Sequence, residues 1–277
     1  MKKKAMLMLA FLAISIFSVV AQPQKDNVID RSGQETLWIE NGNRHIYGVL
    51  NRPQGKNDRL PLAIVSHGFN GTHHFSQDYF GPLAEQGWMT YAFDFPCGSV
   101  NSRSDSNTMN MSILDEQSDL QAIVDYFRSQ PYVDPDRIML IGESQGGLVS
   151  ALTAAQMNKK VSQLVLIYPA LCIPDNWNAR YPRIEDIPDT TRLWNVPMGR
   201  RFFEEVRTID PFKTMKKFKK PVLIIQGDAD QVVSMDDSRR AVKTYKQARL
   251  HVIPGAGHGF KPKERQEAIQ QIIGFIH

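Results

Sequence analysis

The chain has 277 residues, of which 42% are hydrophobic and 22% charged, and its formal net charge is +4. This composition is typical of an ordinary globular protein long enough to bury a sizeable core. The charge is too small to indicate a nucleic-acid partner, and the sequence has no cluster of Lys and Arg with interleaved aromatic residues. We therefore expect a globular domain, or two small ones, that does not bind nucleic acid.

The first 21 residues have the features of a secretory signal peptide. Three lysines precede an apolar run over residues 5–20, and the small residues Val19 and Ala21 close the segment. This pattern predicts cleavage near Ala21 and export to the periplasm or the medium, leaving residues 22–277 as the mature chain. An N-terminal membrane anchor is the alternative, although the run is short for a span of about 20 residues. The absence of a nearby cysteine argues against a lipid anchor.

The two cysteines, Cys97 and Cys172, are too few to form a disulfide framework in a chain of this length. Export permits a bond between them. They follow different predicted strands, however, so two buried free thiols are the favoured interpretation and the bonded pair is the alternative.

Predicted strands and helices alternate along most of the chain. Two alternating runs around Asn41-Gly42-Asn43 first predict a β-hairpin. Apolar runs that predict strands then lie at residues 60–68, 88–95, 137–142, 161–170, 220–230 and 248–258. Helical spacing occurs at residues 75–87, 112–130, 146–157, 235–246 and 262–277. This alternation predicts an α/β fold, with a parallel sheet covered by helices on both faces.

The alternation is interrupted after residue 170. The stretch before the next strand is too long for an ordinary connection inside a compact domain. It predicts an insertion at about residues 172–215 that forms a small helical cap or lid. The insertion is rich in aromatic residues, namely Trp177, Tyr181, Trp194, Phe202 and Phe203.

A G-x-S-x-G motif, Gly142 to Gly146, lies between a predicted strand and a predicted helix. In this context the motif is typical of a nucleophile turn. The two glycines leave room in a tight corner, and Ser144 is expected to adopt a strained conformation with its hydroxyl exposed at the helix N-terminus. A plain strand-to-helix turn is the alternative.

A serine nucleophile needs a base and an acid that orients the base. Asp228 and Asp230 end the predicted strand 220–230, and His258 lies in a glycine loop after the last strand. The carboxyl ends of parallel strands share one edge of a sheet, so these side chains should meet Ser144. We favour Asp230 as the orienting acid and expect Asp228 to cap its own turn.

The developing oxyanion needs backbone N–H donors. One candidate is the N–H of Gln145, directly after the serine, and the other is the N–H of Phe69 in the sequence HGFNG. His67 precedes the serine and ends a predicted strand, so we expect it to be structural.

The ordered motifs SHGFNG, YAFDFPCGS, GESQGG, GDADQVV and GAGHGF resemble those of the α/β-hydrolase superfamily over residues 45–277. Within it, the H-G-F loop, FDF and SQGG are similar to the feruloyl (cinnamoyl) esterases. The resemblance implies a mostly parallel eight-stranded sheet, with a lid insertion after the sixth strand covering an acyl pocket. It assigns the triad to Ser144, Asp230 and His258, and the oxyanion donors to Phe69 and Gln145. The chain departs from the pattern at residues 97–98, where related enzymes often have histidine-glycine.

The resemblance implies an exported serine esterase that releases hydroxycinnamic or other acyl groups from plant polysaccharide esters. The expected partner is a small-molecule or oligosaccharide ester, and no metal signature or nucleotide-binding loop indicates a cofactor. Trp177 and Tyr181, four residues apart, would share a helix face and are the candidate acyl contacts. Docking of the insertion onto the core is the alternative role for each.

Other functions remain open. A serine aminopeptidase or amidase of the same fold needs an acidic anchor for the substrate amine, and the insertion contains Glu185, Asp186 and Asp189. An acetyl esterase is a second alternative, and a non-catalytic binding protein with this fold is a third.

Overall fold

The computed structural model describes residues 33–55 and 59–277, so the predicted signal peptide at residues 1–21 lies outside the described residues. Ten strands lie in this part of the chain. They are β1 (Gln34–Asn41), β2 (Arg44–Asn51), β3 (Leu60–Ser66), β4 (Met89–Phe93), β5 (Val133–Glu143), β6 (Gln163–Ile167), β7 (Thr190–Leu193), β8 (Val196–Gly199), β9 (Val222–Gly227) and β10 (Ala248–Ile253). Over these same residues, the structure contains no helix long and apolar enough to cross a membrane.

Eight of the strands in the described ranges form one sheet, in the order β1-β2-β4-β3-β5-β6-β9-β10. The β1–β2 and β2–β4 pairs are antiparallel, and all pairs from β4 to β10 are parallel. The hairpin predicted around Asn41-Gly42-Asn43 is the β1–β2 pair. The predicted α/β fold with a mostly parallel eight-stranded sheet is therefore confirmed.

Helices cover both faces of the sheet, as predicted. In the described part of the chain they are α1 (Phe80–Glu85), α2 (Ile113–Arg128), α3 (Gln145–Gln156), α4 (Ile173–Arg180), α5 (Arg200–Val206), α6 (Pro211–Met215), α7 (Met235–Thr244) and α8 (Pro262–Ile276). Helices α1 and α8 pack on one face, and the others lie on the opposite side. Along β5, Ile138 and Leu140 enter one core while Met139 and Ile141 enter the other, so the strand is apolar throughout.

The long helix α2 shows how the sequence pattern sets burial. Ser112 caps it by accepting from Asp115 N at 3.1 Å, and the predicted apolar stripe faces the core. Two of the buried residues of α2 are acidic: Glu116 is 1% exposed and Asp119 is 0% exposed.

Between β6 and β9 the chain leaves the sheet and forms α4, the β7–β8 hairpin, α5 and α6. The expected insertion at residues 172–215 corresponds to these elements, and it contains a two-stranded hairpin in addition to the expected helices. Trp194 and Asn195 form the hairpin turn with φ values of 47° and 67°. Two successive positive φ values indicate a type I′ turn, which matches the twist of the two strands.

Cys97 and Cys172 are free thiols, so the favoured unpaired state is correct. The expectation that both are buried is wrong for Cys172, which is half-buried. Burial raises the pKa of the Cys172 thiol to about 11 and that of Cys97 to about 12. Both sulfurs are therefore protonated and weakly nucleophilic at neutral pH.

Candidate active site

Ser144 stands at the corner between β5 and α3, with φ 52° and ψ −117°. This is a strained conformation for a non-glycine residue, as the motif predicts. The backbone is so crowded here that a Cβ on Gly142 would lie 2.3 Å from Gly146 O, and a Cβ on Gly146 would lie 2.4 Å from Ser66 O. No larger residue fits at either position without moving the backbone, which explains both glycines of the motif.

Three side chains from three different loops meet at this corner. With its proton on Nδ1, His258 donates to Asp230 Oδ2 at 2.9 Å, and its Nε2 accepts from Ser144 Oγ at 3.0 Å. The Asp230 side chain is 1% exposed and the His258 side chain 19%. The structure thus brings the predicted serine, acid and histidine into one hydrogen-bonded chain, an arrangement that can activate a serine hydroxyl.

Asp230 has further partners besides the imidazole. Its Oδ1 accepts from Val232 N at 2.8 Å and Val233 N at 3.0 Å, and its Oδ2 accepts from Gln226 Nε2 at 2.9 Å. Ser238 Oγ in turn donates to Gln226 Oε1 at 2.9 Å. These bonds fix the plane of the carboxylate. Sequence reasoning missed Gln226, although a single amide inside the apolar run of β9 was a signal for a buried polar role.

The expectation that Asp228 caps its own turn is wrong. Its Oδ1 accepts from Gly255 N at 2.6 Å, 27 residues further along the chain. Asp228 therefore ties the loop after β9 to the loop after β10, and the imidazole of His258 takes Asp230 as its carboxylate partner.

The loop after β3 lies against the serine. A Cβ on Gly68 would be 3.0 Å from Ser144 Cβ, and Phe69 lines the same cavity as Ser144. Gln145 begins α3, and the first N–H groups of a helix have no partner within the helix. The structure therefore brings both predicted oxyanion residues beside the nucleophilic corner.

His67 is buried and structural, as predicted. Its Nε2 accepts from Phe95 N at 3.0 Å, and its Nδ1 donates to Gly68 O at 2.8 Å. Burial lowers the pKa of this imidazole, so the ring is neutral. Its hydrogen bonds link the loop after β3 to the loop after β4.

A buried ionic cluster lies behind the corner. Glu143 accepts from the hydroxyl groups of Tyr79 and Tyr168, each at 2.6 Å, and from Arg265 Nη1 at 2.7 Å. Burial, followed by the charge of Glu143, raises the pKa of both hydroxyls well above its usual range. The Tyr168 ring lies 4.8 Å from the His258 ring, so this cluster packs against the imidazole.

Two cavities adjoin Ser144. The larger has a volume of about 530 Å³ and is bounded mainly by the insertion and the loop that contains Asp230. The smaller, of about 140 Å³, opens on the His258 side. Phe69 and Trp194 contribute to both cavities, and their rings lie 5.8 Å apart. A substrate that spans Ser144 can therefore place one group in each cavity.

The walls of the larger cavity are mainly apolar. Trp177, a candidate acyl contact, lines it together with Phe202 and Leu193. The expectation that Tyr181 contacts the acyl group is not met, because Tyr181 does not line the cavity. Its ring stacks behind that of Trp177 at 6.0 Å and packs against Phe203. Tyr181 follows the last residue of α4, and its N–H still donates to Trp177 O at 2.9 Å, so the two rings share a face as expected although only Trp177 of the two reaches the cavity.

The only charged side chain among the described residues of that wall is Arg180. Glu185, Asp186 and Asp189 of the insertion are exposed and line neither cavity. In the smaller cavity, Glu143 contributes to the wall, but Arg265 neutralises it.

Comparison with known proteins places this architecture in a family. Residues 112–277, more than half of the chain, match the prolyl oligopeptidase family, Peptidase_S9. The chain belongs to the prolyl oligopeptidase family. Among relatives of known sequence, the uncharacterized peptidase YtmA of Bacillus subtilis is 27% identical over 249 residues, which cover 86% of this chain and 91% of YtmA.

The chain is also similar to solved structures. The complex of Est1E from Butyrivibrio proteoclasticus with ferulic acid is 26% identical, with a TM-score of 0.78 over 86% of this chain and 97% of that one. DcsB in complex with a substrate analogue is 19% identical with a TM-score of 0.71, which shows a shared fold. This member of the prolyl oligopeptidase family is thus a hydrolase with the α/β-hydrolase fold, and the predicted resemblance is confirmed.

Proposed function

We propose that the chain is a serine hydrolase of carboxylic esters. His258 removes the proton from Ser144 as the hydroxyl attacks the ester carbonyl, and Asp230 holds the imidazole in the required tautomer. The N–H groups of Phe69 and Gln145 stabilise the oxyanion. His258 then protonates the leaving alcohol, and a water molecule activated by the same imidazole releases the acid from Ser144.

The charge of the larger cavity is the observation that favours an ester over a peptide as the substrate. An aminopeptidase needs a carboxylate to hold the substrate ammonium group, but no Asp or Glu of the described residues lines this cavity. Its one charged residue, Arg180, repels such a group. Of the acids in the insertion, Asp186 is paired with Arg183 at the surface.

We propose that the acyl group is bulky and aromatic, with hydroxycinnamoyl esters as the substrate class. About 530 Å³ is the volume of a typical small-molecule pocket, and the apolar walls favour a ring over a polar chain. The similarity to Est1E, whose solved complex contains ferulic acid, supports this class. The alcohol, which the smaller cavity would face, is proposed to be a small molecule or the sugar of a plant polysaccharide.

A peptidase remains the second candidate, because the family match and the name of YtmA favour it. An amide and an ester with the same acyl group separate the two functions directly. We expect turnover of methyl ferulate and methyl p-coumarate, and none of feruloyl amide or aminoacyl p-nitroanilides. Faster hydrolysis of the anilides than of the esters would establish the peptidase instead.

Within esters, we expect kcat/KM to be higher for methyl p-coumarate than for a long-chain aliphatic ester. One aromatic contact contributes about 0.5–1.5 kcal/mol beyond its buried area, which is up to about tenfold. A strong preference for acetyl esters, with no turnover of hydroxycinnamates, would identify an acetyl esterase.

Trp177 and Tyr181 form a matched pair for this test. Both rings pack against Phe203, but Trp177 alone of the two lines the cavity. We expect Trp177→Ala to lower kcat/KM for p-coumarate relative to acetate by up to about tenfold, and Tyr181→Ala to leave that ratio unchanged. Equal ratios in both variants would remove Trp177 from the acyl site.

We also propose that the protein is exported and that residues 22–277 form its mature hydrolase domain. The basic and apolar pattern of residues 1–21 supports this proposal. After cell fractionation, we expect to recover the protein outside the cytoplasm. Its N-terminal sequence should begin at Gln22. An intact Met1 in the cytoplasmic fraction would contradict export.

A further inference from the structure

Gln145, beside the nucleophile, is held through its side chain by a buried carboxyl group. Its Nε2 lies 2.9 Å from Glu116 Oε1 and 3.0 Å from Glu116 Oε2, and it donates to this carboxyl group. Glu116 is 1% exposed and Gln145 is 4% exposed. The first turn of α3 is therefore anchored to α2 at the residue whose N–H is the proposed oxyanion donor.

The same carboxyl group touches the loop that supports the second donor. A Cβ on Gly98 would lie 3.4 Å from Glu116 Oε1, so the loop after β4 rests directly on Glu116. Gly98 O accepts from Asn70 N at 3.0 Å, and Ser99 Oγ donates to Asn70 O at 3.1 Å. Asn70 has φ 56° and follows Phe69, so these bonds hold the oxyanion loop in an unusual backbone conformation.

Glu116 thus lies where the supports of both N–H donors meet. We propose that Glu116 is a positioning residue for the oxyanion hole, which fixes Gln145 directly and the Phe69 loop through Gly98 and Asn70. The inference rests on the proposed ester hydrolysis, because it assigns a role to Phe69 and Gln145 in that reaction. The Cys97-Gly98 pair, where the chain departs from related esterases, lies in the loop that connects Glu116 to Asn70.

The surroundings of Glu116 favour its neutral form. No Lys or Arg of the described residues pairs with it, and the nearest charges on its own helix are Asp115 and Asp119. Those two acids have their own cations: Arg44 contacts both, and Arg201 of α5 contacts Asp115. Burial above all raises the pKa of Glu116 to about 8; the hydrogen bond from Gln145 lowers this pKa, and the two acids raise it.

A neutral Glu116 accepts from Gln145 without placing a buried negative charge near the developing oxyanion. Ionisation above pH 8 adds that charge, so kcat of the wild type should fall there. The other groups that face this region do not explain such a fall, because the pKa of Cys97 is raised to about 12 and Asp115 and Asp119 are held by Arg44.

Three variants test the role of Glu116. Glu116→Ala removes the acceptor and should lower kcat on an aryl ester by about 10- to 100-fold, since loss of one oxyanion donor costs about 10²–10³, while KM changes little. Glu116→Gln keeps a carbonyl acceptor and should restore kcat at pH 7, and its kcat should not fall above pH 8. Asp119→Asn is the matched control: it alters a buried acid one turn further along α2, which binds Asn41 and Arg44, and it should lower only the melting temperature.

The rate of covalent labelling of Ser144 by a fluorophosphonate is the second readout, because the phosphonyl oxygen also needs the oxyanion hole. Slow labelling and low kcat in Glu116→Ala, with both restored in Glu116→Gln, is the expected result. Wild-type labelling and kcat in Glu116→Ala would overturn the positioning role while leaving the esterase proposal intact. A wild-type protein that is labelled but hydrolyses no ester would overturn the esterase proposal, and the labelling rates would still decide the role of Glu116.

Discussion

Ser144→Ala should lower kcat by about a millionfold and leave the fold unchanged. Removal of the serine nucleophile has this effect in a serine protease, where only binding and the oxyanion hole remain. The substitution removes one hydroxyl, whose hydrogen bond in the structure is to His258. Alanine tolerates the backbone conformation at φ 52° as well or as poorly as serine, so the melting temperature should change little.

Two measurements check this result. Turnover of an aryl ester gives kcat, and fluorophosphonate labelling followed by mass spectrometry reports the modified residue. Cys172→Ala is the control, because this thiol lines the same cavity but is protonated at neutral pH with a pKa of about 11. Near-normal turnover in Ser144→Ala, or loss of activity in Cys172→Ala alone, would assign the nucleophile to another group.

The sequence was a good guide wherever a local pattern determines the structure. The apolar runs predicted the six parallel strands because most of these strands are buried on both faces. The edge strand β10 is only partly buried, and it ends at Ile253, before the predicted run ends at residue 258. The G-x-S-x-G motif predicted the strained corner because steric crowding at Gly142 and Gly146 admits no side chain. The order of serine, acid and histidine then followed from the common edge of the strand ends.

The hairpin of the insertion was missed for a local reason. Its turn is Trp194-Asn195, whereas Asn-Gly and Asp-Gly are the sequences that indicate a type I′ turn. Trp194 has φ 47° although the residue is 64% exposed, and its ring lies 5.8 Å from that of Phe69. The local sequence therefore carried no signal for this turn.

The buried polar groups around the site were missed because their partners are far apart in sequence. Glu143 and Arg265 are 122 residues apart, and Gln145 and Glu116 are 29 apart. Hydrophobic periodicity shows which side of an element is buried but not which side chains meet. The sequence did contain one signal for Glu116. It occupies a position of the buried stripe of α2, where a carboxyl group needs a specific partner.

The choice between the two aspartates gives the second large effect. Asp230→Asn should lower kcat by about 10⁴-fold, because an amide cannot hold the imidazole in the tautomer that accepts from Ser144. Its side-chain oxygen can still accept from Val232 N, so the loop should stay folded.

Asp228→Asn is the matched control, since Asp228 lies two residues away and binds only the backbone N–H of Gly255 among the described residues. An asparagine oxygen preserves that acceptor, so kcat should remain close to the wild-type value while the melting temperature falls slightly. The comparison needs kcat for both variants on one ester, with melting curves to confirm folding. A crippled Asp228→Asn beside an active Asp230→Asn would mean that the imidazole of His258 turns to the other carboxylate in the working enzyme, against the 2.9 Å contact to Asp230 seen in the structure.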